Sequence, residues 1–269
     1  MADRRLDTAL AEEGLARSRT HAAALITAGT VRVDGQPIVK PSHRVPDGAV
    51  LEVDAPDHYV SRAAHKLVAA LDAFAVDPAD RVALDAGAST GGFSQVLLER
   101  GARTVLAVDV GHGQLAPELR AAAGLVLVEG CNVRTLDAAS LAALTGVDTR
   151  PSLVVGDLSF ISLVTVLPAL VATAEPGADL VLLVKPQFEV GRGGVREGVV
   201  RDPALWSEAV MGVLWAGFDL GLGTGGVISS PIAGTHGNRE FLVHLGSGVG
   251  GHPTEWMSRV ELLAGGAPA

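Results

Sequence analysis

Short apolar runs at 82–84, 104–108, 125–128, 153–155 and 180–184, separated by helical stretches, constrain this chain more than any other feature of its sequence. Strands alternating with helices imply crossover units and a parallel sheet covered on both faces, so the expectation is an α/β fold with a Rossmann-like sheet. A further strand is expected at 241–245. Aromatic residues make up only 4% of a chain that is 48% hydrophobic. The core must therefore be built from Ala, Val and Leu, which suits helices on a buried sheet better than an all-β sandwich. With 269 residues the chain makes one large domain or a large one plus a small one.

The small domain precedes the sheet. Leu6 and Leu10 stand one helical turn apart before Gly14, and Ser18 reads as the N-cap of a second helix through Ala22, Leu25 and Ile26 to Gly29. Val31 and Val33 alternate with Thr30 and Arg32, Asp34-Gly35 is a hairpin-turn dipeptide, Ile38 and Val39 resume the strand pattern, and 50–53 closes the unit. The expected organisation is an α+β domain at 1–56, a linker at 57–60, the sheet domain at 61–247 and a Gly-rich tail at 248–269. In that tail a short helix would place Trp256 and Val260 on one face behind Thr254 as cap. Trp206 and Trp215 lie in an apolar helical stretch and read as core residues.

The net charge is −9, yet residues 17–44 hold Arg17, Arg19, Arg32, Lys40 and Arg44 against Asp34 alone, a local +4. A basic segment on an acidic chain points to a confined nucleic-acid contact. The N-terminus carries no apolar run, and the uncharged stretch 158–174 contains Ser159, Ser162, Thr165, Pro168 and Thr173, so it reads as a buried helix and not a membrane span. A cytoplasmic protein is expected. The single cysteine, Cys131, permits no internal disulfide, and the eight histidines show no ligand spacing, so no metal is expected.

The richest motif is Leu84-Asp85-Ala86-Gly87-Ala88-Ser89-Thr90-Gly91-Gly92-Phe93, between a strand and a helix. Glycines there allow a sharp turn and close approach of backbone to a ligand. The next strand ends in Asp109, where a carboxylate can accept hydrogen bonds from a ribose diol, and the pair indicates a nucleoside-containing cofactor. Asn132 and Arg134 follow the third strand as candidate adenine or RNA contacts. Lysine is scarce, with only Lys40, Lys66 and Lys185. Lys185 and Asp157 end neighbouring apolar strands, the place where ligands of open α/β sheets gather.

These residues resemble the TlyA family, the hemolysin-A-like ribosomal RNA 2′-O-methyltransferases, over nearly the whole chain. The first domain resembles the S-four RNA-binding domain in Arg5-Leu6-Asp7, Gly14, Ser18-Arg19 and the segment from Gly29 to Gly35. The remainder resembles the FtsJ-type methyltransferases, which implies S-adenosyl-L-methionine as cofactor. The family's Lys-Asp-Lys-Glu tetrad carries over to Lys66, Asp157, Lys185 and Glu240. The cofactor site is then expected at Asp85, Gly87, Ser89, Thr90, Gly91, Gly92, Phe93, Asp109, Asn132 and Asp157. RNA contacts are expected from Arg5, Arg17, Arg19, Arg32, Lys40, Arg44, Arg62 and Arg134. The chain departs from the family pattern in its linker, Asp57-His58-Tyr59-Val60, and at His112, where an aromatic is common.

The activity so implied is methylation of a ribose 2′-hydroxyl, of cytidine, in ribosomal RNA within ribosomal subunits. A ribose hydroxyl is a poor nucleophile, so its proton must be removed or drawn away as the oxygen attacks. Lys185 is the candidate for that work with Asp157 orienting it, while Lys66 and Glu240 position the hydroxyl and balance charge. The alternatives are methylation of another structured RNA, a membrane-active hemolysin, for which no basic amphipathic helix is seen, and a non-catalytic RNA chaperone, against which the tetrad speaks.

Overall fold

The computed structural model describes residues 3–53, 58–234 and 237–265, so Asp57 of the expected linker and the last four residues of the expected tail lie outside the described residues. The chain divides into two units, Met1–His58 and Tyr59–Ala269.

In the first unit, β1 (Arg4–Arg5) leads into α1 (Leu6–Glu12), followed by α2 (Arg19–Thr27), β2 (Val31–Val33), β3 (Gln36–Pro37), β4 (Arg44–Val45) and β5 (Leu51–Val53). Ser18 caps α2, its hydroxyl accepting from the His21 amide at 3.1 Å. Leu6, Leu10, Ile26, Val31 and Val45 are buried together between the helices and an antiparallel β3-β2-β5 sheet. The return strand of the hairpin comes earlier than Ile38-Val39: Val33 faces Gln36 and Arg32 faces Pro37, while Val39 is exposed. The two-residue turn sets this register, with Asp34 at φ 50° and Gly35 at φ 77°. Pro37, which lacks an amide hydrogen, faces Arg32, and the pairing goes on past it to the Ile38 amide, which donates to the Val31 carbonyl at 3.0 Å.

The second unit runs α3 (Ala64–Phe74), β6 (Val82–Ala86), α4 (Gly92–Glu99), β7 (Thr104–Val108), β8 (Leu125–Val128), α5 (Ala138–Thr145), β9 (Leu153–Gly156), α6 (Leu163–Thr173), β10 (Asp179–Val184), α7 (Pro186–Glu189), α8 (Pro203–Asp219), β11 (Gly223–Ser229), β12 (Phe241–Gly246) and α9 (Met257–Gly265). Seven strands form one sheet in the order β11-β12-β10-β9-β6-β7-β8. The five from β10 to β8 are parallel, and β12 is antiparallel to both of its neighbours. Helices cover both faces over two buried clusters, one around Leu84, Leu106, Val154 and Leu182 and one around Leu67, Val105, Val155 and Leu183. Each such buried Leu or Val contributes about 1.5–3 kcal/mol relative to an exposed one.

Two expectations are revised and one further strand is added. β11 has no apolar alternation to betray it: it is a Gly-rich edge strand with a register shift between Thr224 and Gly226. The helix expected over 158–174 begins only at Leu163, because the segment before it turns through Phe160 at φ 64°. In the tail the cap is His252 and not Thr254: the His252 ring accepts from the Thr254 amide, and a 3₁₀ turn at Pro253–Trp256 precedes α9. Val260 of α9 is buried in the same core as β10, with Leu263 packed against it.

Candidate active site

The strand order reverses between β6 and β9, since β6 continues outward to β7 and β8 whereas β9 continues to β10 on the other side. Such a switch point leaves a crevice at the carboxyl ends of the strands. The glycine turn after β6 and the loop after β9 meet there. Gly87, at φ 85°, has no room for a side chain: a Cβ would lie 3.0 Å from the Leu158 side chain and 3.2 Å from the Asp157 carbonyl. The β9 loop is pinned from the other side by Glu189, which accepts from the Leu163 amide at 2.7 Å and the Ser162 hydroxyl at 2.6 Å. Burial pushes the Glu189 pKa above the ordinary carboxylate range despite these hydrogen bonds.

Two adjoining cavities open at this crevice. The larger, about 540 Å³, is lined by Gly87, Ser89, Asp109, Asn132 and Asp157 together with the apolar Val108, Val110, Val133, Leu158 and Ile161. Its size and its mix of apolar wall and few polar groups suit a small organic ligand. Asp109 is already oriented, one oxygen accepting from the Ser89 amide and the other from the Gly111 amide, both at 2.7 Å, and each oxygen keeps a lone pair for a ligand hydroxyl. The smaller cavity, about 220 Å³, is lined by Lys66, Asp157, Lys185 and Glu240 with Ser61, Arg62 and Gly234. Gly87, Ser89, Asp157 and Ser159 line both cavities.

The four tetrad residues come from distant parts of the chain. Lys66 lies in the first turn of α3, Asp157 and Lys185 follow the parallel strands β9 and β10, and Glu240 precedes β12. Because β12 runs antiparallel to β10, with Phe241 opposite Val184, the residue before β12 arrives at the same end of the sheet as the residue after β10. Lys66 Nζ is 2.7 Å from Glu240 Oε2 and 3.4 Å from Asp157 Oδ2, and Lys185 Nζ is 2.6 Å from Asp157 Oδ1. Two cations balance two anions with all four largely buried, as buried charges require. Asp157 Oδ1 and Glu240 Oε2 nevertheless have no aligned hydrogen-bond donor, so these contacts are ion pairs without hydrogen-bond geometry. The Lys185 ammonium does donate to the Ser159 hydroxyl at 2.7 Å.

The remaining expected residues fall in different places. Thr90, Gly92 and Phe93 line the tetrad cavity and not the larger one, and the Phe93 ring is part of the buried core. Gly91 lines neither and sits against Leu115 and Leu119. Asp85 is fully buried beneath the turn, where burial, only partly offset by the Ser94 hydroxyl at 2.7 Å, pushes its pKa up to about 7. Arg134 is exposed, and its amide donates to the Asn132 side chain. In the first unit Arg17, Arg19, Arg32, Lys40 and Arg44 are exposed. Arg5 is spent otherwise: its guanidinium grips the buried Asp7 at 3.0 and 2.6 Å and holds that carboxyl down to about 2.

A family model of FtsJ-like methyltransferases matches residues 59–247, and one of the S4 domain matches residues 4–51. The chain is 52% identical over 244 residues to the 16S/23S rRNA (cytidine-2′-O)-methyltransferase TlyA of Mycobacterium tuberculosis, covering 90% of this chain and 89% of the relative. It belongs to the TlyA family of FtsJ-like methyltransferases. Another relative is the hemolysin A of Brachyspira hyodysenteriae, 36% identical over 90% of this chain and 99% of its own. A solved structure described as a hemolysin from Streptococcus thermophilus superposes with a TM-score of 0.74 at 36% identity, covering 98% of this chain and 96% of that one. Among the described residues no helix is long and apolar enough to cross a membrane.

Within this TlyA-family site, sequence reasoning passed over Ser159, Gly234 and the apolar wall of the larger cavity. Ser159 stood inside the motif around Asp157 but carried no signal of its own. Gly234 matters because a Cβ there would lie 2.7 Å from Glu240 Oε1, a contact no local pattern reveals.

Proposed function

We propose that the chain transfers a methyl group to the 2′-hydroxyl of cytidine in ribosomal RNA, acting in the cytoplasm on RNA within ribosomal subunits. The observation that carries this reading is the junction of the two cavities at Gly87, Ser89, Asp157 and Ser159, which sets a nucleoside-sized cleft against a chamber of lysines and carboxylates. The cleft's residues fit S-adenosylmethionine: Asp109 and Asn132 supply polar partners for the ribose and base, the valines and Ile161 supply the apolar wall, and Gly87 allows close approach. Bound there, the cofactor supplies an electrophilic methyl group to the attacking oxygen.

The chain's own residues do the rest. Lys185, having released one ammonium proton to solvent, accepts the proton of the 2′-hydroxyl as the oxygen attacks, and Asp157, 2.6 Å away, keeps its Nζ in place. Lys66, held by Glu240 and Asp157, directs a donor into the same chamber and fixes the hydroxyl. The exposed Arg17, Arg19, Arg32, Lys40 and Arg44 of the first unit hold RNA phosphates, with Arg62 and Arg134 as further contacts in the second.

The test is a ribosomal subunit carrying one 2′-deoxy sugar at the nucleotide mapped as the target. It should bind almost as well as the ribose substrate and accept no methyl group, because the attacking atom is absent. Methylation of that deoxynucleotide would overturn the 2′-O assignment in favour of base methylation.

A further inference from the structure

Glu240 is presented by a segment whose flanking side chains both reach away from the cavity. Asn238, buried, clamps the loop before α8: its carbonyl oxygen accepts from the Val200 amide at 3.0 Å and its amide donates to the Gly198 carbonyl at 2.8 Å. Arg239 stacks its guanidinium over the Trp206 ring, 5.1 Å from the centroid, and donates to the carbonyls of Leu263 at 3.1 Å and Ala264 at 3.4 Å. The Trp206 indole in turn donates to the Val200 carbonyl at 3.0 Å. Asn238 and Arg239 are thereby tied to the same short stretch, 198–206, and Arg239 extends the tie to the last turn of α9. The carbonyls at a helix C-terminus lack intrahelical partners and carry partial negative charge, so a guanidinium is well suited to them. Trp206 is more than the core residue its apolar surroundings imply.

We propose that Arg239 is a positioning residue for Glu240, and that α9, outside the span matched by the methyltransferase family model, is through it part of the catalytic apparatus. The inference rests on the reading of the tetrad given above. The reason is geometric. Glu240 Oε2 holds Lys66 at 2.7 Å, and Gly234 leaves no spare room on its other oxygen, so a small shift of the 238–240 backbone displaces both the carboxylate and the Lys66 ammonium. Positioning errors on the scale of an ångström are costly in turnover. Arg239 is only partly buried, which makes its replacement tolerable to the fold.

The experiment is a double-mutant cycle on the full-length chain, with methyl transfer to ribosomal subunits measured at saturating RNA and S-adenosylmethionine. Arg239→Met should lower kcat about 10- to 100-fold while cofactor Kd and Tm stay near their unsubstituted values. Arg239→Lys should restore only part of it, since an ammonium lacks the planar fork that stacks and bonds together. In a Glu240→Gln background the same Arg239→Met change should cost little more, because both act on one group. Full turnover by Arg239→Met beside an impaired Glu240→Gln overturns the proposal alone. So does an equal loss in both backgrounds, or a fall in Tm large enough to account for the lost turnover. A fully active Glu240→Gln overturns the tetrad reading, and the proposal with it.

Discussion

β10 has a cluster of charges at each end, and the two are built differently. At its carboxyl end Lys185 joins Asp157, Lys66 and Glu240 beside an open cavity, with two carboxylate oxygens lacking any aligned donor. At its amino end Asp179 accepts from Arg81 at 2.7 Å and lies 2.7 Å from His244 Nε2, Arg81 also binds the Ser152 hydroxyl and carbonyl, and Phe74 stacks on the His244 ring. Both Asp179 oxygens are partnered there, Oδ2 by Arg81 and Oδ1 by His244. Charge that is fully hydrogen-bonded ties strands together. Charge held by lysine ion pairs beside a cavity can be re-engaged by a substrate, at a cost in stability.

The strongest way to break this contrast is Lys185→Arg, which preserves the charge but not a removable proton. It should reduce methyl transfer about 10²- to 10⁴-fold with cofactor affinity by calorimetry essentially unchanged. Substantial turnover by this variant would reduce Lys185 to a fixed positive charge and erase the difference between the two ends.

Asp85 sharpens the boundary, because it lies under the glycine turn after β6 yet is sealed like a structural group. With its pKa pushed up to about 7, the folded state holds the Asp85 proton where the unfolded chain has released it. Stability from this group is therefore present below the ordinary carboxylate pKa and lost as pH rises to about 7. Asp85→Asn removes that dependence, so denaturation measured from pH 4 to 8 should show the variant gaining on the unsubstituted chain by up to about 1.4 kcal/mol per pH unit within the window. A constant difference would show that Asp85 does not titrate there.

Asp179→Asn has the smallest expected effect and the opposite character. It should cost about 2 kcal/mol, allowing for the partial solvation of the carboxylate, and lower Tm by roughly 4–8 °C, while kcat per folded molecule stays the same. Burial works to raise the Asp179 pKa, but the hydrogen bonds from His244 and Arg81 and the charge of Arg81 outweigh it and leave the pKa below the ordinary value. Its contribution is thus present above the ordinary carboxylate pKa and lost as pH falls through the lowered one, so the variant should show a shallower acid limb in a pH-dependent melt. Loss of turnover without loss of stability would assign the amino-end cluster to catalysis.

Much of this molecule was written locally. The parallel strands β6, β7, β9 and β10 are apolar at nearly every position because both faces are covered, and that signal survives without any knowledge of neighbours. The Ser18 cap, the Asp34-Gly35 turn and the glycine turn after β6 likewise depend on a few adjacent residues whose backbone preferences are intrinsic. Tertiary structure decided what depends on distant partners. β11 forms from a Gly-rich segment only because β12 offers it a ladder, and α9 joins the core only because α8 and β11 present it an apolar face. Arg5, one of a run of basic residues in sequence, is drawn into a pair with Asp7. The tetrad's contacts depend on β12 running antiparallel beside β10, since reversal of that one strand would carry Glu240 to the far end of the sheet. Side-chain pattern specifies an element, but the direction in which a strand joins a sheet is set by the competition of all strands for edges, and there the sequence alone falls silent.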